Sequence, residues 1–281
     1  MSTAVQQCPI NPCAQLRADR AKLAQLSDDA MLSSAVYEPD PSKRVLPEGY
    51  REIRDPDELN EMGLTLNDLE PSDSGFRSAV FQGPDGRNVV AFKGTTFTSY
   101  EDWKNNAQQE VAGESDYYTR AQDIGYAIQE SDVPNISYTG HSLGGGLSSA
   151  AARRTGGNAS TFNAAGLNPD TLQDRPGGGH IDRVYVKGDI VSGIQVGPAS
   201  RAASDKDWAL DPPQGIGARI KRAIGAGVGG FLGSLIGGNI GAVGGAAAVR
   251  GVMLHGMDAV HTSMAQKMAS LNAEIEAKCG G

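Results

Sequence analysis

Between the β-branched and aromatic run "NISYT" and the alanine-rich run "LGGGLSSAAARR" the chain carries Gly140-His141-Ser142-Leu143-Gly144. A serine hydroxyl is a weak nucleophile until a base takes its proton. The G-x-S-x-G spacing predicts how it would be presented: Ser142 on a strained strand-to-helix turn, with its hydroxyl projecting from the sheet. Gly140 and Gly144 remove side chains that would collide with the adjoining strand and helix. Leu143 would open the helix, putting its amide where an unpaired N–H meets a developing oxyanion. The plainer reading, a polar residue in a small-residue helix, leaves the strand-turn-helix context and the thinning at Gly145 and Gly146 unexplained.

The nucleophile needs a base, and the chain has 4 histidines. His141 lies inside the elbow and points away from its neighbour's line of attack. His180 precedes the strand "DRVYV" and falls at the wrong edge of the sheet, since sites in such sheets lie beyond the strands' carboxyl ends. His255 and His261 remain, both late in the chain as the order Ser, Asp, His requires. On one helix they would face about 240° apart, so only one can reach Ser142. His255, after an apolar segment and beside Gly256, is the expected base and His261 the alternative. The orienting acid belongs just past a strand end, where Asp189 follows "RVYVKG". Asp182 is at the wrong end of that strand, and Asp170, after "STFNAAGLNP", is the runner-up.

These groups need elements to hold them. "AQLRADRAKLAQLSDDAMLSSAVY" has helical spacing. Ser78 to Phe81 and Asn88 to Phe92 flank Gly83-Pro84-Asp85-Gly86, a hairpin signal. Thereafter helix "YYTRAQDIGYAIQES", strand "NISYT", helix "LGGGLSSAAARR", strand "ASTFNA" and strand "DRVYV" alternate, which predicts crossover units and a mainly parallel sheet. The expected organisation is an N-terminal helical segment, 1–72, packed on a catalytic domain, 73–281. With 281 residues there is chain enough for a full core, and a net charge of -8 argues against a nucleic-acid partner. The N-terminus lacks the basic start and apolar run of a conventional secretory signal, which predicts synthesis in the cytoplasm. Of 3 cysteines, Cys8 and Cys13 could close a small local loop under oxidising conditions but read better as two incidental terminal thiols, and an odd count leaves at least one thiol free.

"VVAFKGTTFTSYEDWKNN", "SYTGHSLGGGLSSAAA", "STFNAAGL" and "RVYVKGDIVS" together resemble the class 3 lipase group of α/β-hydrolases. More narrowly, they resemble the bacterial lipase effectors exported through type VI secretion to attack rival cells. The likeness covers roughly residues 75 to 200 and "LHGMDAV". It implies an α/β-hydrolase fold with Ser142, Asp189 and His255 as nucleophile, acid and base. It also implies that Thr95 supplies a second oxyanion amide and that "FTSYEDWKNN" stands where those lipases carry a lid. Lys93 replaces the arginine usual in the group. The implied substrate is membrane phospholipid. The implied partners are a cognate immunity protein and a secretion spike protein or adaptor chaperone. The chemistry needs no cofactor, and the acids of "SDKDWALDPP" do not have the spacing of a calcium loop.

One further segment stands out. Ala223 to Val249 is 27 residues without a formal charge, and glycines at 225, 229, 233, 237, 241 and 245 keep a four-residue spacing. Such a stripe lets another helix approach closely. The 10 glycines from 225 to 245 would cost an isolated helix roughly 8 to 10 kcal/mol relative to alanine. The segment therefore reads as a glycine-rich helical insertion, 213–251, before the catalytic histidine, acting as a cap or a membrane-contacting element. Its basic start, Arg219, Lys221 and Arg222, suits anionic headgroups. Two other functions follow from these features: a membrane-perturbing toxin acting through the glycine stripe, and a soluble carboxylesterase.

Overall fold

The structure, a computed structural model, describes residues 11–94, 116–167, 178–194, 201–225 and 250–280. Thr95, the Trp103 stretch, Asp170 and residues 226–249 of the glycine-rich segment lie outside the described residues. The Asn11 side chain accepts from the Cys13 amide at 3.0 Å and Pro12, which has no N–H, takes the first helical position, so helix α1 (Pro12–Ala35) starts where first-turn amides need no intrahelical acceptor.

Seven strands form one sheet in chain order: β1 (Arg51–Ile53), β2 (Ser78–Gln82), β3 (Asn88–Phe92), β4 (Ile136–His141), β5 (Asn158–Phe162), β6 (Ile181–Val186) and β7 (Lys206–Leu210). β1, β2 and β3 pair antiparallel, with the expected turn joining β2 to β3, and β3 through β7 are parallel. The fold is an α/β-hydrolase-like sheet flanked by helices. Two strands were absent from the sequence reading. β1 has only 3 residues, and β7 is an edge strand whose alternation shows only in buried Trp208 and Leu210. The acids around β7 are engaged in ion pairs, Asp207 with Arg183 at 2.6 Å and Asp211 with Lys187 at 2.7 Å.

Successive strand residues point to opposite faces, and the core divides accordingly. Val80, Val90, Phe92 and Tyr138 meet helices α4 (Asp116–Glu130) and α5 (Leu143–Thr155) on one side. Phe162, Val184 and Val186 meet α1 and the C-terminal helix on the other, packed with Leu23, Leu26 and Val260. Short helices α2 (Pro56–Glu61) and α3 (Leu66–Leu69) follow β1, and α6 (Ile190–Ile194) follows β6. Helix α7 (Ile216–Gly225) follows β7, and α8 (Met257–Cys279) ends the described chain. Among the described residues no helix is long and apolar enough to cross a membrane.

The expected cysteine arrangement is corrected: Cys13 forms a disulfide with Cys279, Cα atoms 5.6 Å apart across a sequence separation of 266. α1 and α8 lie side by side, which brings the start of α1 to the end of α8. Local spacing between Cys8 and Cys13 carried no information about that contact.

Candidate active site

The elbow forms at the carboxyl end of β4. Ser142 sits between β4 and α5 with φ 57° and ψ -123°, a conformation unfavourable for a residue with a Cβ. The turn holds because its neighbours are glycines. A methyl on Gly140 would overlap the Gly144 carbonyl, and one on Gly144 would overlap the Phe92 carbonyl in β3. The Ser142 amide donates to the Phe162 carbonyl at 3.0 Å, and the Ser142 carbonyl accepts from Ala165 at 2.8 Å, so β5 and the chain after it clamp the strained residue. Leu143 is the first residue of α5, where helical geometry leaves amides without intrahelical partners.

Asp189 follows β6 through Gly188, whose φ of 88° turns the chain. One carboxylate oxygen accepts from the Ser192 amide at 2.9 Å and hydroxyl at 2.7 Å, capping α6. The other meets His255 Nδ1 at 2.6 Å. His255 Nε2 lies 2.9 Å from Ser142 Oγ. All three residues are buried. Burial pushes the Asp189 carboxyl up, but hydrogen bonds from His255 and Ser192 hold it below the usual carboxylate range. An acceptor-only carboxylate facing Nδ1 requires that nitrogen to carry the proton, which leaves Nε2 to accept from the serine.

The other predicted groups stand elsewhere. His261 Nε2 meets Ser34 Oγ at 2.8 Å, and burial pushes its imidazole below the usual range. His180 and Asp182 lie 3.5 Å apart at the amino end of β6, where Asp182 also accepts from Trp208 at 2.8 Å. His141, inside the elbow, turns its ring toward the backbone of His255, with ring centroids 4.7 Å apart. Lys93, half-buried, is pushed below the usual lysine range by burial and by Arg77.

Sequence reasoning missed Asn163 and Tyr37. Tyr37, just past α1, reaches His141 Nδ1 at 3.0 Å. Asn163, fully buried with φ 43°, contacts the backbone of both β6 and the segment carrying His255. An asparagine directly after a strand, where its left-handed backbone is tolerated, was the available signal.

Comparison with known proteins agrees with this architecture. Over 219 residues the chain is 30% identical to the extracellular phospholipase A1 of Serratia liquefaciens, a stretch covering 78% of this chain and 65% of that protein. The chain thus spans a little under two thirds of the relative's length. The description of a phospholipase-like family, the Tle-like phospholipase domain, matches residues 28–253, which include Ser142 and Asp189 and stop two residues short of His255. A match over so much of the sheet and its elbow places the chain in the Tle-like phospholipase domain family.

Proposed function

We propose that the chain is a serine-dependent lipid ester hydrolase, a phospholipase that acts on bacterial membrane phospholipid through an acyl-enzyme on Ser142. The observation that carries this reading is the continuous hydrogen-bonded chain from Ser142 through His255 to Asp189 at a strained elbow. His255 Nε2 takes the Ser142 proton as Oγ bonds to the ester carbonyl carbon. The oxyanion is met by the amides of Leu143 and Thr95, and one such donor is worth about 3 to 4 kcal/mol of barrier. Collapse breaks the carbon–oxygen bond, and the lysophospholipid alkoxide leaves with the proton from His255. Water then repeats the sequence on the acyl-enzyme and frees the fatty acid. Asp189 holds the imidazole in its productive tautomer and stabilises the imidazolium. The scheme draws on no cofactor.

Membership of the Tle-like family and the likeness to an extracellular phospholipase support a secreted antibacterial effector. In this reading the chain is made in the cytoplasm and delivered into rival cells by a type VI spike protein or an adaptor chaperone. A cognate immunity protein shields the producer by blocking the catalytic cleft.

The test is fatty-acid release from phospholipid vesicles by the protein and its Ser142→Ala variant, with dye leakage recorded in the same samples. Loss of both in the variant supports the phospholipase. Leakage persisting without release would transfer the activity to the glycine-rich segment. A rate that does not rise when a soluble ester passes from monomers to aggregates would indicate a carboxylesterase instead.

A further inference from the structure

We propose that Asn163 and His141 are positioning residues for His255, which lock its main chain so that one imidazole faces both Ser142 and Asp189. The inference rests on the triad reading above and goes beyond it by assigning a role to two buried polar side chains outside the triad.

The need arises from local structure. The helical segment 250–255 ends where Gly256, in an extended conformation, begins α8. Carbonyls in the last turn of a helix have no intrahelical donor. Left without donors in the interior, such carbonyls would be costly to bury, and the ring of residue 255 would be free to turn. Three N–H contacts converge on two of these carbonyls. Asn163 Nδ2 donates to Leu254 at 3.0 Å and to His255 at 2.9 Å, and His141 Nε2 donates to the same His255 carbonyl at 2.7 Å.

Each contact also settles the orientation of its donor. Carbonyls only accept, so the amide nitrogen of Asn163 must face them. Its oxygen is then turned to the Val186 amide, which donates at 2.9 Å. Val186 ends β6 three residues before Asp189, so one side chain ties the strand bearing the acid to the segment bearing the base. His141 must carry its proton on Nε2, and Tyr37 then donates its hydroxyl to Nδ1. That neutral ring suits the position. An imidazolium there would oppose the charge His255 acquires in the reaction, with ring centroids 4.7 Å apart. Burial, aided by His255, pushes the His141 imidazole down to about 3.

The experiment combines steady-state hydrolysis of a soluble short-chain ester, thermal melting, and the downfield proton resonance of the His255 Nδ1–H, identified by its loss in Asp189→Asn. Asn163→Asp keeps size and tolerance of a left-handed backbone but turns an acceptor toward two carbonyls. His141→Leu removes the second donor, and His141→Gln retains an N–H near the place of Nε2. A misplacement of about 1 Å costs on the order of 100-fold. Asn163→Asp and His141→Leu should therefore lower kcat by about 10- to 100-fold with KM little changed and the resonance lost, whereas His141→Gln recovers most of the rate. Cooperative melting with wild-type kcat and an intact resonance in the first two variants would overturn the proposal. Should neither fold, Tyr37→Phe decides it. Loss of one hydrogen bond predicts a fall of about 3- to 10-fold in kcat, and an unchanged rate overturns the proposal. Ser142→Ala run alongside separates the two readings, because activity surviving there would remove the triad itself.

Discussion

Toward the amino ends of the parallel strands, Asp29 meets Arg87 at 2.7 Å and Asp182 meets Lys22 at 2.8 Å, beside a groove of about 420 Å³. At the carboxyl ends Asp189 meets His255 at 2.6 Å. Both Asp182 and Asp189 are buried, and in both the upward push of burial is overcome by donors that hold the carboxyl below its usual range. The difference lies in the partner. Arginine and lysine side chains stay charged through the neutral range, so the amino-end pairs hold α1 to the sheet. An imidazole nitrogen can accept a proton and return it, so the same carboxylate can serve a proton transfer. The serines differ in the same way. Ser160 lies on a regular strand and donates to Asp29 at 2.7 Å, while Ser142 is strained and meets a nitrogen able to accept its proton. Residue type alone therefore does not distinguish the edge that carries the proposed triad from the structural one.

The largest expected effect is on the base. His255→Ala should lower kcat by about 10⁴-fold or more, and His261→Ala should change it by less than about threefold, measured on one ester substrate. The reverse result would move the base to His261 and break the contrast between the edges. Next come the two aspartates. Asp189→Asn should cost about 10³- to 10⁴-fold in kcat through the wrong imidazole tautomer. Asp182→Asn should leave kcat near wild type and lower stability to urea by about 1 to 3 kcal/mol, because buried donors lose a charged acceptor.

A smaller effect, on stability alone, concerns the chain ends. Cys13→Ser should lower unfolding stability by about 2 to 4 kcal/mol without altering kcat of the folded protein, since the lost cross-link acts mainly through the unfolded chain. Wild-type protein kept in reductant during denaturation should show the same loss.

A further effect, also on stability and read only as a slope, is a pH dependence. The folded-state pKa of His141 lies below its ordinary value of 6.5, at about 3, so the unfolded chain binds the extra proton first. Its contribution to stability is present above pH 6.5 and is lost as pH falls toward 3. Comparing urea midpoints across that range, His141→Gln should show a shallower acid loss than wild type. An unchanged slope would mean that other groups carry it.

Much of the site was legible in the residues because its signals are local. Five consecutive residues specify the elbow, and a glycine after β6 specifies where Asp189 emerges. Alternating strand and helix patterns were enough to infer the parallel sheet, as the register of β3 against β4 and β4 against β5 bears out. The strands missed were those with least pattern. Three residues in β1 and an acidic edge in β7 leave too few apolar positions to establish a period of two.

What the sequence by itself determined was therefore the short-range part: the strained serine, the small residues that permit it, the order of elements and the candidate acid. The residues favoured His255 over His261, but tertiary structure decided that His255 comes within 2.9 Å of a serine 113 residues away, and how an asparagine joins β6 to the segment before α8. It also decided that Cys13 would find Cys279 across 266 residues. These contacts follow from two helices and a sheet packing face to face. Packing depends on how all buried surfaces fit at once, so no local spacing could specify it.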